Sequence, residues 1–262
     1  MAEHQTAIVS HRAHCGTHPE NTLLGIQAAL DDGVEAIEID VRRTIDGGLV
    51  LMHDTTFTRT TGDRRVVSET STAEATALQV LPPDSTQQPQ PVPLLEDALR
   101  LIDGKAAIVI DFEDAPIADD LIALVKQMGA ASWTWWTSHD PHLAERLAAE
   151  TPGSKSYLGW AASDRRFASP IDALDVCVRR GLAGINAQHT YVDETVVRYA
   201  HRESLEVGVW TVNDPKRMGA LLRMGVDAIT TDFPRATQLM RDRAASATEA
   251  AHHVDLRFSH GA

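Results

Sequence analysis

Four acidic residues fall in two pairs of one spacing, Glu38 with Asp40 in AIEIDV and Asp111 with Glu113 in VIDFE. On an extended strand, residues two apart point to the same face, so each pair would converge opposite Ile37, Ile39, Ile110 and Phe112. Crowded carboxylates repel one another unless a cation or shared protons offset the charge, and a hard divalent cation held by oxygens is the simplest remedy. His11, followed by Arg12, and His53, followed by Asp54, add two imidazoles that titrate near neutral pH and suit general acid and base work. The planar fork of Arg12 suits a phosphate or carboxylate. Trp210, in VWTVND, could wall a substrate, with a core or rim tryptophan as an equal alternative. A lone ExD would read more simply as a solvated rim, with Asp40 paired to Arg42 or Arg43. Two acidic pairs beside two strand-end histidines favour a site.

These residues need elements that gather them. Runs rich in β-branched residues predict strands at Thr6–Ser10, Val34–Val41, Leu49–His53, Ala106–Phe112, Ser132–Thr137, Lys155–Gly159, Gly184–Asn186, Glu206–Val212 and Val226–Thr231. Helical spacing recurs between most of them, at Asn21–Asp31, Leu94–Ile102, Ile117–Met128, Pro141–Glu150, Pro170–Arg180, Asp193–Arg202 and Pro215–Met224. Only Arg42–Gly48 separates the second strand from the third, too short for a parallel crossover, so Leu49–His53 should return antiparallel as a hairpin arm. Eight parallel strands remain, the number of an α/β fold of the (β/α)₈ TIM-barrel type, for which about 250 residues is typical. In such a barrel the reactive groups gather at the C-terminal strand ends, where the residues above fall. Seven of the twelve histidines (His11, His14, His18, His53, His139, His142 and His189) lie at or just after predicted strand ends.

The expected organisation is a single barrel over residues 1–245. It carries an insertion at 55–93, after the hairpin, with one short helix near Thr72–Leu78 and a Pro/Gln-rich end that resists regular structure. Residues 246–262 are expected to form a flexible tail. Trp133, Trp135 and Trp136 alternate along one strand, so at least one must pack under a helix.

The chain has 262 residues, 24 Lys and Arg against 37 Asp and Glu, and a formal charge of −13. That balance argues against a nucleic-acid partner or an anionic membrane surface. No run approaches the roughly 18 apolar residues of a membrane span, and the first residues lack a basic region followed by an apolar one. The expectation is a cytoplasmic protein without stable membrane insertion. Cys15 and Cys177 show no metal or disulfide spacing and read as free thiols. Nothing in the composition indicates an oligomeric state.

In order, HRA with PENT, AIEIDVRRTIDG, LVLMHD, VWTVNDP and GVDAITTDFP resemble the glycerophosphodiester phosphodiesterase family, from Ile8 to Pro234. The resemblance implies a phosphodiesterase barrel with a small insertion, acting on a small phosphodiester. It implies Glu38 and Asp40 as metal ligands, His11 and His53 as the acid/base pair, Arg12 as a phosphate contact, and Ser138–Asp140 as the counterpart of a Ser-Phe-Asp run. The implied cofactor is one divalent cation, Mg²⁺ or Ca²⁺, with Mn²⁺ as an alternative. The implied reaction is metal-dependent hydrolysis of glycerophosphodiesters to sn-glycerol 3-phosphate and an alcohol. Two positions depart from the family. Ala13 stands where Gly is usual after HisArg, and Asp111-Phe112-Glu113 replaces Glu-x-Lys. Asp111 keeps a ligating carboxylate, whereas Glu113 exchanges a cation for an anion. Glu113 is thus a further candidate ligand. It also opens two alternatives: a divergent phosphodiesterase or lyase of the same fold acting on another (lyso)phospholipid-like or phosphodiester substrate, and a non-catalytic binding barrel.

Overall fold

A computed structural model describes residues 5–84, 87–112 and 115–243. The first half runs β1 (Ala7–Ser10), α1 (Leu23–Asp32), β2 (Ala36–Arg43), β3 (Leu49–Leu51), α2 (Thr58–Thr61), α3 (Thr72–Ala77), β4 (Gln79–Val80), β5 (Gln90–Pro91) and α4 (Leu95–Ile102). The second half runs β6 (Ala107–Asp111), α5 (Ala118–Gln127), β7 (Thr134–Ser138), α6 (Pro141–Glu150), β8 (Lys155–Trp160), α7 (Pro170–Arg180), β9 (Gly184–Gln188), α8 (Glu194–Arg202), β10 (Glu206–Trp210), α9 (Pro215–Met224) and β11 (Ala228–Thr231). Residues 234–243 are also helical.

The strands β1, β2, β6, β7, β8, β9, β10 and β11 pair in parallel, and β1 closes the ring by pairing with both β2 and β11. This is a (β/α)₈ TIM barrel. β3 returns antiparallel along β2, as the short connection required. Gly48 lets that hairpin approach α3, because a Cβ there would lie 2.1 Å from Thr72 Oγ1.

Alternation along the strands sorts the barrel's two faces. Ile37 and Ile39 of β2 and Ile108 and Ile110 of β6 join the core under the helices, whereas Val9, Ala36 and Val109 meet inside the ring. Glu38, Asp40 and Asp111 have the parity of Ala36 and Val109, so the ring interior is where their side chains belong. Helix starts are equally local. Asp140, Ser169 and Asp214 cap α6, α7 and α9, each followed by a proline in the first turn, which explains why these three begin where the sequence places them. Trp136 is buried, its indole N–H donating to Thr151 Oγ1 at 2.9 Å.

Within 55–93, α2, α3 and the β4–β5 ribbon surround a small core of Phe57, Val67, Ala75, Val80 and Val92, completed by Val50 and Met52 of the hairpin arm. The Pro/Gln-rich stretch thus ends in a paired strand, Gln90–Pro91, and the helix expected near Thr72–Leu78 spans Thr72–Ala77, with an unexpected helical turn at Thr58–Thr61. No helix among the described residues is long and apolar enough to cross a membrane. The tail expected at 246–262 lies outside the described residues.

Candidate active site

At the C-terminal end of the ring, β2 and β6 run side by side with Glu38 opposite Val109 and Asp40 opposite Asp111. The result is a three-carboxylate group in which one oxygen each of Glu38, Asp40 and Asp111 lies within 4.8 Å of the others. Glu38 is buried, and Asp40 and Asp111 are partly so. Burial first, then the negative charges of Asp40 and Asp111, push the Glu38 carboxyl well above the usual carboxylate range, opposed by the Arg12 amide and guanidinium. Three hard oxygen donors in an electrostatically strained cluster fit a divalent cation, whose charge would relieve that strain.

Neighbouring residues hold the carboxylates still. Glu38 Oε2 accepts the Arg12 backbone N–H at 2.6 Å, and the Glu38 carbonyl accepts that of Ala13 at 2.7 Å. This pins the turn after β1, where Arg12 and Ala13 sit at φ 45° and 69°, in the left-handed region that the more usual glycine would adopt at less cost. Asn21 grips Asp40 twice: its Nδ2 donates to Asp40 Oδ2 at 2.7 Å, and its Oδ1 accepts the Asp40 backbone N–H at 3.1 Å. Arg42 and Arg43, which a rim reading would pair with Asp40, bond elsewhere: Arg42 Nε to the His53 carbonyl at 2.7 Å, Arg43 to Asp120 at 2.9 Å.

Each imidazole has an aspartate on Nδ1. His11 Nδ1 meets Asp232 Oδ1 at 2.6 Å, which leaves Nε2 4.0 Å from Glu38 Oε2. His53 Nδ1 meets Asp54 Oδ1 at 2.6 Å. A proton held on Nδ1 by the aspartate would leave Nε2 of each ring as the nitrogen without that partner. Burial works against the Asp232 carboxylate, but hydrogen bonds from His11 and Cys15 outweigh it and hold the group at about 2. Asp54 is also held at about 2, chiefly by Arg59. Arg12 lies along the same wall, its Nη1 3.3 Å from Glu20 Oε1, while its buried Nε makes no hydrogen bond and is 3.5 Å from Asp40 Oδ2.

These groups share one cavity of about 220 Å³. Beside His11, Arg12, Glu38, Asp40, His53 and Asp111, its lining includes Thr137, His139, Asn186, Trp210, Thr211 and Thr230. The Trp210 indole N–H is taken by the Asn186 carbonyl at 3.0 Å, which fixes the ring in the wall. The His139 ring packs on Gly159, where a Cβ would lie 3.1 Å from it. Of the seven histidines expected near the mouth, His11, His53 and His139 line the cavity. His14 instead bonds Asp32 and Thr17. Glu113 lies outside the described residues.

Sequence reasoning overlooked Asp232, Asn21, Glu20 and Arg59. A signal for Asp232 existed. In a closed barrel the last strand adjoins the first, and the register Ser10 to Thr231 sets the next residues, His11 and Asp232, side by side.

The Glycerophosphoryl diester phosphodiesterase family model matches residues 11–236. A glycerophosphodiester phosphodiesterase of Bacillus altitudinis is 25% identical over 256 residues, covering 90% of this chain and 98% of that one. Among solved structures, a glycerophosphodiester phosphodiesterase of Agrobacterium tumefaciens superposes with a TM-score of 0.73 at 25% identity, over 88% of this chain and 98% of that one. An Oleispira antarctica phosphodiesterase, in complex with the product sn-glycerol-3-phosphate, shares the fold with a TM-score of 0.77 at 23% identity, over 91% of this chain and 97% of that one. With eight strands in the right order and a family match over most of its length, this chain is an enzyme of the glycerophosphoryl diester phosphodiesterase family.

Proposed function

We propose that the enzyme hydrolyses glycerophosphodiesters to sn-glycerol 3-phosphate and an alcohol, using one divalent cation at Glu38, Asp40 and Asp111. The observation that carries this reading is the meeting of three carboxylates and two aspartate-backed imidazoles in one cavity. The sn-glycerol-3-phosphate held by the Oleispira phosphodiesterase is the same product class.

A bound cation would supply positive charge to phosphoryl oxygens as negative charge builds on them. Arg12 would bind the phosphate through guanidinium donors its neighbours leave poorly used. Nε2 of one histidine takes a proton from the attacking water as its oxygen bonds to phosphorus, and Nε2 of the other gives a proton to the alkoxide as its bond to phosphorus breaks. The aspartates keep both rings in the tautomer that exposes Nε2. Trp210 orients the carbon skeleton and excludes water from one wall.

Product analysis on glycerophosphocholine, glycerophosphoethanolamine and glycerophosphoglycerol tests the reading, with EDTA and with Mg²⁺, Ca²⁺ or Mn²⁺ restored. The expected outcome is sn-glycerol 3-phosphate from at least one diester, loss of turnover with EDTA, and a higher Tm on adding the active cation. Full turnover in EDTA, or no product with any cation, would refute it.

A further inference from the structure

Arg59 stands on α2, inside the 55–93 segment, and its guanidinium serves two carboxylates at once. Nη1 and Nη2 donate to Glu20 Oε2 and Oε1 at 2.6 and 2.8 Å, while Nε and Nη2 donate to Asp54 Oδ2 and Oδ1 at 2.8 and 3.1 Å. Glu20 is the carboxylate that faces Arg12, and Asp54 is the one that holds His53. One side chain therefore stands behind both a phosphate-binding arginine and an acid/base histidine.

α2 is itself well anchored. Phe57, at its start, is fully buried, Thr60 bonds Met52, and the Leu81 backbone N–H reaches the Thr60 carbonyl at 2.8 Å. The fork thus rests on a packed base despite its half-exposed side chain.

We propose that Arg59 is a positioning residue that keeps two neighbours from competing with the reaction. By taking both oxygens of Glu20 in a bidentate pair, it leaves only the long 3.3 Å contact between Glu20 and Arg12, so the Arg12 guanidinium stays available to phosphate. By gripping Asp54, it fixes the carboxylate that sets the His53 ring. Without Arg59, the nearest cation for Glu20 is Arg12, and Asp54 is held by His53 rather than holding it. The first loss weakens substrate and product binding, and the second slows turnover.

This inference rests on the proposed phosphodiesterase reading, and two separable readouts test it. Steady-state kinetics on the best glycerophosphodiester are paired with calorimetric Kd values for sn-glycerol 3-phosphate and inorganic phosphate, with the active cation present. Arg59→Ala should lower kcat by about tenfold to a hundredfold and raise KM and both Kd values by about tenfold, the size usual for groups that orient a site. Adding Glu20→Gln to Arg59→Ala should return KM and both Kd values to within about twofold of wild type, because a neutral amide no longer draws Arg12, while kcat stays low. General loosening of α2 would give no such split. Arg59→Lys, which keeps the charge but not the fork, should fall between wild type and Arg59→Ala, and it carries the same comparison if the alanine variant fails to fold. Unchanged kcat and KM in a folded Arg59→Ala protein would overturn the proposal, as would a Glu20→Gln double variant with no recovery of binding. A wild type without turnover would instead refute the phosphodiesterase reading, and the phosphate Kd series would still report on Glu20 and Arg12.

Discussion

The two histidine–aspartate pairs have the same 2.6 Å bond and opposite architectures. His11 and Asp232 are 221 residues apart and meet where β1 closes against β11, with Cys15 and Asn213 also bonded to Asp232. His53 and Asp54 are chain neighbours beyond the hairpin arm, more exposed, and steadied by Arg59 from the inserted segment. One pair is set by closure of the barrel, the other by an attachment to it. The carboxylate cluster lies between them, on β2 and β6. Ring closure thus fixes one imidazole, and the inserted segment steadies the partner of the other.

Replacing the imidazoles is the largest test of that contrast. His11→Asn and His53→Asn should each cost about a hundredfold to ten-thousandfold in kcat/KM, the usual worth of acid–base catalysis. The two should separate on a diester with a nitrophenol leaving group, which needs no protonation. The variant lacking the acid should recover most of its rate there, whereas the one lacking the base should not. Equal recovery of both would deny them distinct roles.

A smaller effect is expected one step back. Asp232→Asn and Asp54→Asn should each lower kcat by about tenfold to a hundredfold through loss of the reactive tautomer. Asp232→Asn should be the more damaging, because Asp232 also anchors Cys15 and Asn213. A larger loss in Asp54→Asn would mean that the inserted segment, rather than barrel closure, sets the more demanding geometry.

The smallest effect is on stability in acid. Asp232 and Asp54 are both depressed from 3.8 to about 2, so each adds stability that is present above pH 3.8 and lost as the pH falls toward 2. Thermal melts between about pH 5 and about pH 2 should show a shallower decline in either asparagine variant than in wild type. An unchanged slope in Asp232→Asn would contradict the ionised state assigned to that carboxylate.

Much of this arrangement is legible in the sequence, for local reasons. The alternation Glu38, Asp40 against Ile37, Ile39 fixes which side chains enter the ring, because a strand has a period of two. The short Arg42–Gly48 connection forces β3 to be antiparallel. The 3₁₀ and helical turns of the insertion are less legible: α2 spans only Thr58–Thr61, too short for a periodic signal, and β5 includes Pro91 in a stretch whose composition argues against a strand. The four residues around the site that sequence reasoning overlooked share one property. Asn21 meets Asp40 of β2, Glu20 and Arg59 meet each other, and Asp232 meets His11, across 19, 39 and 221 residues that no motif spacing encodes.

By itself the sequence determined the number and order of the barrel strands, the face that Glu38, Asp40 and Asp111 occupy and the histidines available, since all of these follow from periodicity and nearest neighbours along the chain. Tertiary structure alone decided which aspartate serves His11 and which cation steadies Glu20, contacts that span 221 and 39 residues. Hydrogen bonds act over about 3 Å, so such partners are chosen by ring closure and loop packing rather than by any local pattern.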